Sequence, residues 1–171
     1  MRNIDTIIIH CTATKAGEDW DIDDVRRWHV AGNGWSDVGY HALIRLDGTI
    51  EYGRPIARQG AGVKGHNKNS LHVVYVGGLN ADGKPQDTMT AAQVRSLYAY
   101  VHGVVTVLGA MELIGHNDLT DEKACPSFKV LQKFPSLVAW ANDPSKPAPV
   151  PDELSRPVRK ICRKCSRLMR Q

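Results

Sequence analysis

Two histidines and a cysteine are the residues of this sequence best suited to hold a metal ion. His10 closes the apolar run DTIIIHCT, His116 closes MELIGH, and Cys125 follows nine residues later within GHNDLTDEKACPSF. Two imidazoles and a thiolate suit a borderline-soft ion such as Zn²⁺, and three protein ligands leave one coordination position for water. The pattern indicates a catalytic metal site; the alternative is that each histidine is a hydrogen-bonded core residue at a strand end.

The elements expected to position these residues alternate between strands and helices. The apolar runs DTIIIHCT, SLHVVYVGG and MELIGH predict buried strands, and YHALIRLDGTIEYG predicts a hairpin turning at Asp47-Gly48. Interleaved strands and helices predict an α/β fold with helices packed on a sheet. His10 and His116 should each end a strand at one edge of that sheet. Because successive strand residues face opposite sides, Cys11 should be a core thiol on the other face.

Two helices carry recognisable start signals. In DIDDVRRWHVAGNG, Asp21 is the expected N-cap, with Val25, Trp28 and His29 on one side of the helix before the glycines end it. Thr90 and the glutamine three residues later form a capping box for AAQVRSLYAYVHGVVTVLG. The apolar residues of that second segment repeat at helical spacing, which predicts one face packed on the sheet.

The chain of 171 residues divides into a domain and a basic tail. Prolines crowd together in NDPSKPAPVPDELSRPV, so we predict a compact domain over residues 1–143, a Pro-rich linker over 144–157 and a tail over 158–171. Residues 144–171 hold eight Lys or Arg and two acidic residues, a net +6, which leaves −2 of the total +4 for residues 1–143. The basic character therefore belongs to the C-terminal part.

The tail sequence, SRPVRKICRKCSRLMRQ, has a basic amphipathic pattern typical of a helix. Such a segment can contact an anionic cell surface or membrane, bind nucleic acid, or remain a solvated or domain-docked tail. We expect contact with an anionic surface rather than with nucleic acid. Cys162 and Cys165 form a single C-x-x-C without a second pair, which is a weak metal signal.

Targeting signals are not apparent in the sequence. No apolar run approaches the roughly 20 residues that span a bilayer, and MRNIDTIIIHCTAT lacks the apolar core and cleavage site of a signal peptide. The four cysteines are too scattered for a disulfide framework. We therefore expect synthesis in the cytoplasm, reduced thiols and a monomer, with release by another factor if the protein acts outside.

Four ordered segments carry a resemblance to a known family: IIIHCTAT, GWSDVGYHALIRLDGTIEYGRP, NSLHVVYVGGLNADGKPQDTMTAAQ and GHNDLTDEKACPSF. Together they resemble the type 2 N-acetylmuramoyl-L-alanine amidases, which are zinc amidases of peptidoglycan, and especially the small phage endolysins called amidase-type lysozymes. The peptidoglycan recognition proteins share the fold. The likeness covers roughly residues 4–135 and implies a central mixed β-sheet flanked by helices, with residues 1–143 as the zinc amidase catalytic domain.

The resemblance also implies roles for individual residues. His10, His116 and Cys125 match the family's zinc ligands, while Tyr40 of GYH and Lys123 of KACP match its catalytic pair. Such an enzyme hydrolyses the amide bond between N-acetylmuramic acid and the first L-alanine of the stem peptide. One catalytic Zn²⁺ and a peptidoglycan or muropeptide substrate are thus expected. All five residues are present, which favours an enzyme over a catalytically inactive receptor.

The sequence departs from the family pattern around the expected substrate groove. Gly62 replaces a histidine that often borders the groove, and His66 lies near enough in sequence to compensate. His72 stands where a small residue is usual, and Val74 and Tyr75 stand where some relatives carry a catalytic glutamate. These changes leave the stem-peptide preference and the general base open.

A second class of function is compatible with the same fold. A non-lytic module could bind peptidoglycan fragments or restrain another protein. Two places of action are also possible. A phage, prophage or effector protein would act on the cell wall after its release, whereas a recycling enzyme would act in the cytoplasm. The complete ligand and catalytic set favours the lytic amidase.

Overall fold

A computed structural model describes residues 2–151 of the protein. The predicted tail, residues 158–171, lies outside the described residues, as does part of the predicted linker. The elements within residues 2–151 are β1 (Thr6–Cys11), β2 (Thr14–Lys15), α1 (Ile22–Arg27), a π-helical turn (Trp28–Gly32), β3 (Ala42–Ile44), β4 (Ile50–Tyr52), β5 (Ser70–Tyr75), β6 (Gly78–Leu79), α2 (Ala91–Leu108), β7 (Glu112–Gly115), a 3₁₀ turn (His116–Asp118), α3 (Val130–Lys133) and α4 (Pro135–Asn142).

Five strands form the central sheet in the order β4-β3-β5-β1-β7. β1 is parallel to both β5 and β7, and β3 is parallel to β5, whereas β4 runs antiparallel to β3. A separate small sheet pairs β2 with β6. The predicted α/β fold with a central mixed sheet is confirmed. Since β1 is covered on both faces, its isoleucines are at most 1% exposed, which explains the continuous apolar run.

The two faces of the sheet carry different cores. On one face, Ile7, Ile9 and Cys11 of β1 belong to the large apolar cluster that also contains Leu97 and Val101 of α2. The opposite face carries a smaller cluster made of Val25, Val38, Leu43, Val74 and Val76. Cys11 is therefore a core thiol, as predicted, and His10 faces the other side beside Val74, its register partner.

α2 begins at the predicted capping box. The Thr90 side chain accepts the backbone N–H of Gln93, and the Gln93 side chain accepts that of Thr90. The buried Gln93 amide also donates to the carbonyls of Ile44 and Val76, at 3.1 and 2.9 Å. One side chain thus starts the helix and attaches it to the ends of two strands.

The hairpin and the first helix also follow the sequence, with one correction. β3 and β4 pair around Gly48, whose φ is +90°. Asp21 caps α1, and Val25 and His29 are buried, but Trp28, predicted on the same side of the helix, is 47% exposed. At about 100° per residue, Trp28 lies about 60° from Val25 around the helix and His29 about 40° in the other direction, so the buried face is centred between Val25 and His29. A π-helical turn begins at Trp28.

Among residues 2–151, the last helix ends close to the predicted end of the compact domain. α4 ends at Asn142, and residues 144–151 contain neither helix nor strand. The division into residues 1–143, 144–157 and 158–171 stays a prediction. Within residues 2–151, no helix has both the length and the apolar character needed to cross a membrane.

Candidate metal centre

His10, His116 and Cys125 lie together at one edge of the central sheet. One ligand atom from each of the three side chains lies within 4.8 Å of the other two. The Nδ1 atom of His10 is 3.7 Å from the Cys125 Sγ, and the rings of His10 and His116 are 5.0 Å apart. The three predicted metal ligands are therefore brought together by the fold from distant parts of the chain.

The two histidines differ slightly from their predicted places in the strands. β1 continues one residue past His10, because Cys11 still pairs with Tyr75 of β5. β7 ends at Gly115, one residue before His116, because the Asp118 carboxylate accepts the Gly115 N–H at 2.8 Å and turns the chain into the 3₁₀ turn. His10 is completely buried and His116 is half-buried, so the cluster opens to solvent on the His116 side.

The loop that carries Cys125 is tied back to the sheet. The Asn117 N–H donates to the Cys125 carbonyl at 2.7 Å, which closes residues 117–125 into a compact loop. The hydroxyl of Tyr75 donates to the Pro126 carbonyl at 2.7 Å, and the N–H of Cys11 donates to the Cys125 Sγ at 3.2 Å. These bonds hold the thiol next to the end of β1.

The electrostatics of both histidines favour the form that binds metals. Burial, with the neighbouring His72 and His116 rings, holds the pKa of His10 well below its ordinary value of about 6.5. Burial and the charge of Lys123 likewise lower the pKa of His116. Both rings are therefore neutral at pH 7 and offer a nitrogen lone pair.

Cys125 must lose a proton before it can serve as a ligand. Contact with the Cys11 thiol and burial raise the pKa of the Cys125 thiol, while the Cys11 N–H and the Lys123 charge act in the opposite direction. A thiolate is the form that binds a metal ion. Metal binding at this site should therefore release a proton and strengthen as the pH rises.

Tyr40 lies beside the cluster on the second face of the sheet. Its ring is 5.1 Å from the His10 ring and 5.2 Å from the ring of His29. The buried His29 accepts the Gly39 N–H at 3.0 Å, which fixes the backbone next to Tyr40. Burial, with the Cys125 and Cys11 thiols nearby, raises the pKa of the Tyr40 hydroxyl, so this group is a hydrogen-bond donor at neutral pH.

Lys123 is exposed and borders a pocket that reaches His116. The pocket has a volume of about 420 Å³. Its lining consists of Gly62, Val63, Lys64, His66, His116, Leu119, Thr120, Glu122 and Lys123. Gly62 and His66 therefore border a groove next to His116. The family resemblance led us to expect a groove at the position of Gly62, where many relatives have a histidine.

A second pocket lies beyond the end of β1. Its volume is also about 420 Å³. It is lined by Thr12, Ala13, Thr14, Lys15, Glu18, Trp20, Trp28 and Leu79. The pocket includes both residues of β2, and the exposed indole of Trp28 forms part of its wall.

Sequence reasoning missed one contact of the cluster. His72 Nδ1 lies 3.0 Å from His10 Nε2, so the unusual histidine of β5 touches a predicted ligand. Strand alternation could have predicted this contact. His72 lies two residues before Val74, so both side chains are on the face of the sheet that carries His10. Val74 itself is buried and apolar, so β5 provides no carboxylate at that position.

The fold thus places three side chains that could hold a metal ion at one edge of a mixed sheet, and known proteins show which class this arrangement belongs to. The sequence model of the N-acetylmuramoyl-L-alanine amidase family matches residues 1–128. The endolysin of Klebsiella phage KP32 is 43% identical over 122 residues, which cover 71% of this chain and 80% of that protein. The endolysin of Escherichia phage T7 is 42% identical over 127 residues, which cover 72% and 81%.

Solved structures agree with these sequence matches. The N-acetylmuramoyl-L-alanine amidase LysC from Clostridium intestinale is 27% identical with a TM-score of 0.64, covering 75% of this chain and 79% of that one. The bumblebee recognition protein PGRP-SA is 25% identical with a TM-score of 0.66, covering 78% and 83%. The chain belongs to the N-acetylmuramoyl-L-alanine amidase family, and the predicted amidase class is confirmed.

Proposed function

We propose that the protein is a zinc-dependent amidase that cleaves the bond between N-acetylmuramic acid and L-alanine in peptidoglycan, as a cell-wall lytic enzyme of the endolysin type. The observation that carries the proposal is the convergence of His10, His116 and Cys125, whose ligand atoms lie within 4.8 Å of one another. Relatives described as endolysins support action on the cell wall.

The donor set fits zinc. Two neutral imidazoles and one thiolate are ligands that Zn²⁺ prefers, and three protein ligands are the number found in catalytic zinc sites. Harder ions such as Mg²⁺ prefer oxygen ligands. His10, His116 and Cys125 would hold the ion, and the half-buried His116 leaves one side accessible to substrate.

Bound zinc would lower the pKa of a coordinated water to about 7 and polarise the scissile carbonyl. The chain supplies the donors for the charge that develops on the carbonyl oxygen. Tyr40 keeps its proton because burial raises its pKa, so its hydroxyl would donate a hydrogen bond there. The Lys123 ammonium lies on the open side and would donate a second.

The linings of the two pockets support a substrate that has both charged groups and flat apolar faces. One contains Lys64 and Lys123 beside His116, and the other contains Trp20 and Trp28 near the end of β1. Cationic side chains suit the carboxylates of a stem peptide, and indole rings suit the faces of sugars. A muropeptide carries both kinds of group, so we assign this substrate class to the pair of pockets.

The test is incubation of the full-length protein with purified peptidoglycan, scoring newly free N-terminal L-alanine with and without zinc chelation. We expect release that chelation abolishes and added zinc restores. Cys125→Ala should abolish both zinc binding and release. Cys11→Ala is the matched control, because it removes a neighbouring core thiol while the backbone N–H that bonds Cys125 remains. It should retain release and bind zinc at least as tightly as wild type, because the Cys11 thiol raises the pKa of Cys125.

Two results would contradict the proposal. Release that persists in Cys125→Ala at full rate would exclude this cluster as the catalytic centre. Absence of release by zinc-loaded protein on several peptidoglycan types would favour the non-lytic binding module. The role of the tail, residues 158–171, in contacting an anionic surface stays a prediction, which cosedimentation with anionic vesicles would test.

A further inference from the structure

His72 occupies a slot beside the metal cluster that two glycines leave open. Its side chain is completely buried on β5. A Cβ atom added at Gly62 would lie 2.4 Å from His72 Nδ1, and one added at Gly60 would lie 2.5 Å from His72 Cδ2. Both distances are too short for real contacts, so the imidazole fits only because residues 60 and 62 lack side chains.

The backbone beside this ring is fixed as well. The His72 N–H donates to Nδ1 of His41 at 2.9 Å, and Nε2 of His41 donates to the Arg58 carbonyl at 3.1 Å. The rings of His41 and His72 stack nearly parallel, with centroids 5.8 Å apart. His72 is thus held by its backbone, by its neighbour's ring and by the walls of its slot.

A chain of hydrogen bonds runs from His10 through this residue. His10 Nε2 is 3.0 Å from His72 Nδ1, and His72 Nε2 is 3.2 Å from the Ser70 hydroxyl. The Ser70 hydroxyl in turn contacts the carbonyl oxygen of His66. For each group in this series of hydrogen bonds, the number of protons it can donate and of lone pairs with which it can accept is known.

The last acceptor sets the direction of the whole chain. A carbonyl can only accept, so Ser70 donates to it, and the Ser70 oxygen accepts the proton of His72 Nε2. His72 Nδ1 then carries a lone pair and accepts the proton of His10 Nε2. His10 Nδ1 is left without a proton, and this is the nitrogen that lies 3.7 Å from the Cys125 Sγ.

We propose that His72 is a positioning residue that fixes the tautomer and ring orientation of His10, so that Nδ1 is the nitrogen presented to the metal. The inference rests on the proposed function of the cluster. Metal-binding histidines usually donate their second ring N–H to a carboxylate, a carbonyl or water, and loss of that acceptor typically costs about 10- to 100-fold in metal affinity or activity. Here a neutral imidazole is the acceptor.

The primary test compares zinc affinity in His72→Leu and His72→Asn, measured by competition with a chromophoric chelator. Leucine fills much of the slot but accepts no hydrogen bond, so we expect roughly 10- to 100-fold weaker zinc binding. The asparagine side-chain oxygen can occupy the position of Nδ1, so this variant should stay within about threefold of the wild type. Circular dichroism should first establish that both variants are folded.

A control separates positioning from a general loss of stability. Gln93→Leu removes a buried polar side chain on the opposite side of the fold and should leave zinc affinity unchanged. A second readout is the long-range ¹H–¹⁵N NMR spectrum of the histidines in zinc-loaded protein. We expect His10 to bind zinc through Nδ1 and to keep a slowly exchanging proton on Nε2.

The outcomes distinguish this inference from the proposed function. Wild-type protein that binds zinc and releases L-alanine, together with an equally tight His72→Leu variant, would overturn the role of His72 alone. Coordination of His10 through Nε2 would do the same. Wild-type protein that binds no zinc would overturn the proposed function and the inference with it. Weaker binding in His72→Leu that asparagine restores would support both.

Discussion

Three buried histidines should make the metal-free protein unusually sensitive to acid. Burial lowers the pKa of His29 and of His41 to about 4 and that of His72 to about 3. An unfolded histidine has a pKa of about 6.5, so below this pH the unfolded chain binds protons that the folded chain does not. The stability contributed by the neutral rings is present above about pH 6.5 and is lost as the pH falls toward the folded-state values.

The magnitude follows from the size of these shifts. Each histidine lowers the free energy of unfolding by roughly 1.4 kcal/mol per pH unit between its unfolded and folded pKa values. At about pH 5 each ring therefore lowers the free energy of unfolding by about 2 kcal/mol relative to neutral pH, and the three rings together lower it by about 6 kcal/mol. Because domains have total stabilities of about 5–15 kcal/mol, we expect acid unfolding to begin near pH 5.

Urea titrations followed by tryptophan fluorescence measure this effect. They would be run in a metal chelator at several pH values from about 7.5 down to about 5, on wild type and His29→Asn. The asparagine oxygen can still accept the Gly39 N–H that His29 accepts at 3.0 Å, but it does not titrate. We expect the pH slope of the variant to be shallower by roughly 1.4 kcal/mol per pH unit.

Two outcomes would refute the reasoning. A wild-type slope below about 1.4 kcal/mol per pH unit between pH 6 and 5 would mean that fewer than one proton is taken up on unfolding. An unchanged slope in His29→Asn would show that this ring does not contribute. Between about pH 7 and 7.5 the two proteins should have similar slopes, which provides the internal control.

Further predictions concern the catalytic donors and the packing around them. Tyr40→Phe and Lys123→Met should each lower kcat by roughly 100- to 1,000-fold in the L-alanine release assay, with zinc content unchanged. Gly62→Ala should lower the free energy of unfolding in urea by about 1–3 kcal/mol, because the new Cβ would lie 2.4 Å from His72 Nδ1. Gln93→Leu should lower the free energy of unfolding by about 1–3 kcal/mol in the same assay, since the carbonyls of Ile44 and Val76 each lose one hydrogen bond.

Each of these expectations has a contrary result. A normal kcat in Tyr40→Phe or Lys123→Met would remove that side chain from the stabilisation of the carbonyl oxygen. Gly62→Ala protein as stable as wild type would show that the loop moves freely away from His72. A loss of zinc affinity in Gln93→Leu comparable to that in His72→Leu would indicate that the cluster responds to global stability instead of to its own hydrogen bonds.

The parts of the fold that local patterns encode were predicted well. The N-cap at Asp21, the capping box at Thr90, the turn at Gly48 and the strand β1 all depend on residues within a few positions of one another. The convergence of His10 with the segment after β7 was also predictable, because ends of neighbouring parallel strands meet at one edge.

Other features depend on partners distant in the sequence. β1 passes His10 by one residue because Cys11 pairs with Tyr75. The contact between His72 and His10 requires the loop containing residues 60 and 62 to pass close above β5. No local periodicity predicts how close this loop comes to β5. The sequence therefore showed that His72 is unusual for the family but not which residues it contacts.

The position of β1 between β5 and β7 has a consequence for how the protein matures. His10 belongs to β1, whereas His116 and Cys125 follow β7, so the three side chains meet only after β1 and β7 have joined the same sheet. Until residues 112–115 have been synthesised, one edge of β1 has no neighbour, and until Cys125 has been synthesised the cluster lacks its thiol. Under the proposed function, completion of the sheet and metal binding would therefore come late, after most of the domain has been synthesised.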